Sequence, residues 1–275
     1  MNRSSGILMA MSSLPGNYGI GTMGKDAYAF VDFLVRAGQR YWQILPLTPT
    51  GYGDSPYQSL GACAGNHYLI DLDRLADEGL LKKEEIQNIP WGSNPARVDF
   101  GAMYAHRMNV LRLAFQRFAP DEAYETFVEQ NRSWLEDYAL FTALKDTLGG
   151  KPWLEWPEAL RLRKADALAE KRRELSDEIR LQYFVQYEFD RQWKALRSYA
   201  NAKGVRIIGD VPIYVPLDSA DVWANPELFQ LDESRHPEQV AGCPPDSFTA
   251  DGQLWGNPIY DWKKMAQTHY FWWIQ

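Results

Sequence analysis

Two cysteines in 275 residues, Cys63 and Cys243, are too few and too isolated for a disulfide framework, a zinc site or a redox dithiol. Both read as inert thiols. The four histidines, His67, His106, His236 and His269, are equally scattered, with no i, i+4 pair and no neighbouring cysteine. No metal site is expected from them, and His106 and His269 read as helix-face residues. Positive charge is in deficit: 29 Lys and Arg against 36 Asp and Glu give a formal net charge of -7, spread along the chain. That balance favours neither nucleic acid nor an anionic membrane as a partner. Long apolar runs are missing too. Met1 to Ser13 carries only Arg3 and a brief apolar stretch, too short for a signal h-region or a bilayer span, so a cytoplasmic protein is expected. No Gly-x-Ser-x-Gly elbow occurs.

Aromatic residues are abundant: 11 Trp, 15 Tyr and 12 Phe. Some pack a core, and such a surplus also suits a cleft in which flat faces stack on sugars or other rings. Along the chain, Gly6 to Ser12 reads as a buried strand. A glycine-rich turn follows, then a helix with Ala27, Phe30, Val31 and Leu34 at helical spacing and Gly38 as its stop. Tyr41 to Leu47 is the next strand, completing a βαβ unit whose strands should be parallel. A long polar loop, 48–66, holds Gly51-Tyr-Gly-Asp-Ser-Pro-Tyr-Gln-Ser59, and loops of that length in a compact domain usually have a function. The region 73–181 reads as mostly helical, with Ser133-Trp-Leu-Glu136 as a capping box and Gly149-Gly150 as a stop. A long helix bearing Leu181, Val185, Phe189, Trp193, Leu196 and Ala200 then leads to Arg206-Ile-Ile-Gly-Asp-Val-Pro-Ile-Tyr-Val215, a strand expected to be buried on both faces. Beyond it, 218–257 reads as irregular. The last element is a helix capped by Asp261, with Trp262, Met265, His269 and Trp272 on one face running to Gln275, a pattern expected of a truncated chain.

The expected organisation is a first βαβ unit over 1–72, a mainly helical insertion over 73–181, and a third strand, a substrate loop and a helix over 182–275. Alternating strands and helices admit an open doubly wound sheet or a (β/α)8 barrel, and both place working residues at the C-terminal ends of strands. Asp210 is the one acid on an apolar strand, where a buried carboxylate needs a partner or a polar cleft. Asp54 and Asp246 are candidates whose alternative is turn formation, and Ser55 reads first as a turn residue. Tyr57 and Trp255, in polar loops, suit sugar stacking or packing on the nearest helix. Gly19-Ile-Gly-Thr-Met-Gly24 satisfies G-x-G-x-x-G, the pattern of a dinucleotide-binding enzyme. It is set back from its strand by Leu14 to Tyr18, however, and Pro46-Leu-Thr-Pro stands where a ribose-binding acid belongs, so turn geometry is the expected role.

Several long motifs, in order, carry a family resemblance: Ser13-Leu-Pro-Gly-Asn-Tyr-Gly-Ile-Gly, Trp42-Gln-Ile-Leu-Pro-Leu, Gly53-Asp-Ser-Pro-Tyr-Gln-Ser, Gly209-Asp-Val-Pro-Ile-Tyr-Val, Pro244-Pro-Asp and Gly252-Gln-Leu-Trp-Gly-Asn-Pro. Together they resemble the 4-α-glucanotransferases of glycoside hydrolase family 77, the amylomaltases or disproportionating enzymes. The resemblance implies a (β/α)8 barrel with helical insertions, of which about the first three strands lie here. It implies cofactor-free transfer of α-1,4-glucan segments between maltooligosaccharides by a retaining double displacement. Asp210 resembles the family's aspartate at the end of the third strand, which shapes the subsite where the bond breaks. Ser55 and Tyr57 resemble the substrate-binding pair after the second strand. Asp246, Gln253 and Trp255 resemble residues of a loop that folds over the glucan, and Asp54 and Asn257 in the same motifs are counted with them. The family's nucleophile lies in an Arg-Ile-Asp-His-like motif that these 275 residues lack, as they lack the later acid and a third aspartate. The isolated polypeptide is therefore expected to be inactive, or to act as a non-catalytic glucan-binding module.

Overall fold

A computed structural model describes residues 3–94 and 96–274, apart from the side chain of Tyr52. In chain order the elements are β1 (Gly6–Leu8), α1 (Lys25–Arg36), β2 (Tyr41–Gln43), α2 (Leu72–Asp77), α3 (Lys83–Gln87), α4 (Phe100–Arg117), α5 (Glu122–Thr147), α6 (Glu158–Arg161), α7 (Ala165–Glu174) and α8 (Ser176–Ala202). There follow β3 (Arg206–Ile208), α9 (Ala220–Ala224), β4 (Val240–Cys243), β5 (Gln253–Pro258), α10 (Trp262–Gln267) and α11 (Phe271–Ile274). The chain forms two compact units: residues 1–49, 65–131 and 181–211 make the first, and 50–64, 132–180 and 212–275 the second.

The first unit is built on β1, β2 and β3, parallel and adjacent in that order, as a barrel built from βαβ units requires. Register decides which side chains meet. Ile7, Trp42 and Ile207 lie in one row and pack on the core formed with Ala27, Val31 and Leu34 of α1 and Leu196 and Ala200 of α8. Trp42 is fully buried, and its indole N–H donates to the Met9 carbonyl at 2.8 Å. The next row alternates to the other face. Leu8 and Ile208 there are 55% and 44% exposed, so the expectations of a buried first strand and of a third strand buried on both faces are corrected: this unit covers its sheet on one face.

The strands are also shorter than their apolar runs. The first gives way to a 3-10 turn at Met11–Ser13. The ladder continues only one bond past β2, Ile44 N–H to the Ile208 carbonyl at 3.0 Å, before Pro46. Pro212 similarly lies beyond β3, and neither proline has an N–H to donate. Two glutamines of α8 hold the segment that follows the 50–64 loop. Gln186 accepts from Gly65 N–H at 2.7 Å and donates to its carbonyl at 3.0 Å, and Gln192 accepts from Asp71 N–H at 2.7 Å. Arg107 of α4, fully buried, donates through Nη2 to the Tyr68 and Ile70 carbonyls. Beside it, burial and then the Arg107 charge pull the His67 pKa down to about 3, so that ring is neutral at physiological pH.

In the second unit, Phe141, Trp156 and Trp223 form an aromatic core with centroids 5.3 to 5.8 Å apart. The Trp223 indole N–H donates to the Leu160 carbonyl at 3.0 Å. Ser133 and Glu136 lie inside the 26-residue α5, not at a helix start. The capping pattern is met by chance in a sequence with nothing nearby to break the helix. The C-terminal helix is likewise two pieces, because His269 and Tyr270 adopt positive φ of 53° and 58°, which ends the stripe through Met265 before Trp272 is reached. Gln275 lies outside the described residues. Among the described residues no helix is long and apolar enough to cross a membrane.

Candidate functional site

The residues singled out from sequence divide between the units. Asp210 belongs to the first, two residues past the C-terminal end of β3, where it is half-buried between exposed Gly209 and Val211. Seven others belong to the second. Asp54 ends a 3-10 turn, Tyr52–Asp54, and adopts a φ of 58°, a left-handed conformation that Asp tolerates better than most residues. Immediately after it the Ser55 hydroxyl accepts from Tyr57 N–H at 3.3 Å, and the Ser55 carbonyl accepts from Gln58 N–H at 3.1 Å. This local turn holds Tyr57, 42% exposed, outward.

Within the region 218–257, read as irregular, β4 and the greater part of β5 form an antiparallel hairpin with a register shift between Val240 and Gly242. Glycine and proline at both ends hide it from a search for β-branched alternation. Its tip is closed by Asp246. One carboxylate oxygen, Oδ1, accepts from Phe248 and Thr249 N–H at 2.8 and 3.0 Å, an Asx turn. The Thr249 hydroxyl donates to the Gly252 carbonyl at 3.0 Å. Gly252, at φ 72°, passes so close that a Cβ would stand 2.5 Å from the Cys243 carbonyl oxygen, so no other residue fits the turn.

On β5, Gln253 and Trp255 are two apart and share a face, and the Trp255 indole N–H donates to Gln253 Oε1 at 3.0 Å. Tyr214 lies 6.1 Å from Trp255 between ring centroids. Asn257 is buried, 5% exposed, and its amide donates to the Val215 carbonyl at 2.9 Å. It thereby fixes the segment that carries Tyr214, while Trp255 remains 45% exposed. The hairpin also presents Phe248 and Leu254, 92% and 80% exposed, which sequence reasoning passed over. The available signal was Pro-Pro-Asp-Ser-Phe, an aromatic in a turn with no apolar period around it.

Asp221 was passed over as well. It lies in α9, whose start is capped by the Ser219 hydroxyl. The side chain accepts from Ala62 N–H at 2.8 Å and from the Trp272 indole N–H at 3.3 Å. Burial pushes its carboxyl up to about 6, against those two donors, which favour the ionised form. A cavity of about 170 Å³ adjoins it, walled by Trp134, Tyr138 and Phe271 among others.

The G-x-G-x-x-G stretch has a different occupant from a pyrophosphate. Gly24 caps the start of α1, and a Cβ there would stand 2.0 Å from Asp71 Oδ2. That carboxylate accepts from the Thr22 hydroxyl at 2.7 Å. An acid already fills the place where a helix N-terminus would receive a phosphate, and Gly21 is pressed against the Met11 carbonyl, 2.1 Å from a would-be Cβ. These glycines serve close packing. Among the described residues no group of three His, Cys, Asp or Glu is arranged to hold a metal ion.

A family model described as 4-alpha-glucanotransferase matches residues 9–275. The 4-alpha-glucanotransferase of Clostridium butyricum is 49% identical over 269 residues, which are 97% of this chain and 55% of that protein. That of Thermus thermophilus is 50% identical over 279 residues, covering 99% of this chain and 55% of its own length. Amylomaltase from Streptococcus agalactiae, solved in complex with acarbose, matches with a TM-score of 0.95 at 48% identity, over 99% of this chain and 56% of that one. The chain belongs to the 4-alpha-glucanotransferase family. Its fold is α/β of the (β/α)8-barrel type, with three barrel strands among the described residues and added helices. It spans about 55% of the length of the curated relatives it matches.

Proposed function

We propose that residues 1–275 form the substrate-holding part of a 4-α-glucanotransferase that moves α-1,4-glucan segments between maltooligosaccharides in the cytoplasm, without a cofactor. The observation that carries this reading is the β4–β5 hairpin. Trp255 and Phe248 stand out from a turn locked by Asp246 and Gly252, and flat apolar faces on a rigid support suit the apolar faces of glucose rings. Gln253 supplies an amide for hydroxyl groups, and Ser55 and Tyr57 supply a second contact from the 51–59 turn. Asp210 shapes the subsite where the bond breaks, Asp54 belongs to the 51–59 turn that contacts the glucan, and Asn257 holds the segment that carries Tyr214 beside Trp255. The three segments 1–72, 73–181 and 182–275 then act as first βαβ unit, helical insertion and substrate-loop region.

Retaining transfer needs a nucleophilic carboxylate and a carboxylic acid about 5 Å apart across the scissile bond, and a loop that keeps water off the glycosyl intermediate while a sugar hydroxyl attacks. In this reading the hairpin is that loop, and the two displacing carboxylates come from outside residues 1–275. No Arg-Ile-Asp-His-like run occurs within them. The test is incubation of the 275-residue polypeptide with maltotriose, following glucose release and the spread of chain lengths. No redistribution is expected, and robust turnover would overturn the division of labour. Retention of maltooligosaccharide by the same polypeptide supports the binding role.

A further inference from the structure

At the N-terminal ends of the strands of the first unit lies a cleft of about 1090 Å³ lined, among the described residues, by four arginines, Arg3, Arg40, Arg197 and Arg206, and by no acid. None of the four is ion-paired among the described residues. The backbone fixes their grouping. Arg40 N–H donates to the Ser5 carbonyl and Arg206 N–H to the Arg40 carbonyl, both at 2.9 Å. The parallel ladder sets Arg206 opposite Tyr41. Arg3 precedes β1, and Arg197 comes from α8 one turn before Asn201, which also lines the cleft.

In a chain of net charge -7, a set of four unpaired guanidinium groups calls for a counter-charge. Helix ends supply part of it. The cleft includes Gly38 and Gly204, just past the C-termini of α1 and α8, and each helix end carries roughly half a negative charge. Together they offset about one of four positive charges. We propose that this cleft binds a phosphorylated small molecule, its phosphate held by the arginine forks and its sugar or other ring against Tyr41. Guanidinium groups match phosphate oxygens bidentately, and Tyr41, half-buried and opposite Arg206 in the ladder, lines the same cleft and offers a ring to what the phosphate carries. The cleft lies on strand ends opposite to those where Asp210 follows β3, so this inference does not depend on the glucan reading.

Titration calorimetry tests it, with glucose 1-phosphate, inorganic phosphate and glucose as probes at low and physiological salt. Saturable binding of glucose 1-phosphate, and none of glucose, is expected. Arg40→Gln and Arg206→Gln should each weaken it about tenfold or more, the scale of one charge-assisted hydrogen bond. Arg197→Lys, which keeps the charge but not the fork, should give a smaller loss, and unchanged circular dichroism of each variant keeps the comparison valid. Equal affinity for inorganic phosphate would support the phosphate site with the ring contributing nothing. Absence of binding by either phosphate, affinities indifferent to the arginines, or displacement of both phosphates by an acidic peptide that binds more tightly would overturn the proposal.

Discussion

Replacing Asp221 with Asn should stabilise the protein at neutral pH and remove a pH dependence that the native residue imposes. The Asp221 side chain is 8% exposed, and its carboxyl is raised from 3.8 to about 6, chiefly by desolvation. The folded state thus holds the proton more tightly than the unfolded chain does. Its contribution is fully present below about pH 3.8 and is lost as pH rises through about 6. A shift of about two units corresponds to about 3 kcal/mol, of which about 2 kcal/mol disappears between pH 4.5 and 7.5. Asn is never ionised. Its single oxygen satisfies either Ala62 N–H or the Trp272 indole, leaving the other facing an NH2 group at a cost of about 1 to 2 kcal/mol. The expected balance is a gain of about 1 to 2 kcal/mol at pH 7.5 and none at pH 4.5. Urea unfolding of both proteins at the two pH values reads this directly. Parallel pH profiles, or a variant weaker than wild type at pH 7.5, would refute the assignment of the charge penalty to Asp221.

Arg107→Met should destabilise the first unit by about 3 kcal/mol, because the Tyr68 and Ile70 carbonyls lose a charged donor in a fully buried place; thermal unfolding checks it, with Arg107→Lys expected to recover part. Gly65→Ala places a Cβ 2.0 Å from a Phe189 ring carbon and should cost about 1 to 3 kcal/mol, relieved in the double variant with Phe189→Leu; a double-mutant cycle without coupling would contradict the contact. Asn257→Ala should lower stability by about 1 to 2 kcal/mol through the orphaned Val215 carbonyl and also weaken glucan binding, whereas Trp255→Ala should affect binding alone.

The positions of the three parallel strands were readable from sequence because short apolar runs separated by amphipathic helices leave few arrangements. Their lengths were not: the run from Trp42 stays apolar past the last ladder bond, and only Pro46 and Pro212 mark where donors run out. The 51–59 turn was legible through glycine, proline and aspartate, whose backbone preferences act locally. Asp246 was visible as a turn aspartate for the same reason, while the roles given to it and to Gln253 and Trp255 came from the family motifs. What stayed hidden depends on distant partners. Asp221 owes its raised pKa to burial, in a fold that brings Ala62, 159 positions away, against it, and the arginines of the first-unit cleft meet because strand pairing gathers Arg3, Arg40 and Arg206 while α8 brings Arg197. The break at His269 and Tyr270 occurs with neither glycine nor proline, so no local signal announced it.

The most direct test of the hairpin as a glucan-holding element is the tryptophan fluorescence of this protein titrated with maltoheptaose. A saturable change is expected, lost in Trp255→Ala with unfolding curves unaltered, and matched by no change when cellobiose, with β-linked glucose, replaces the α-1,4-glucan. A response that survives in Trp255→Ala, or no response in the wild-type protein, would contradict the role given to the β4–β5 hairpin.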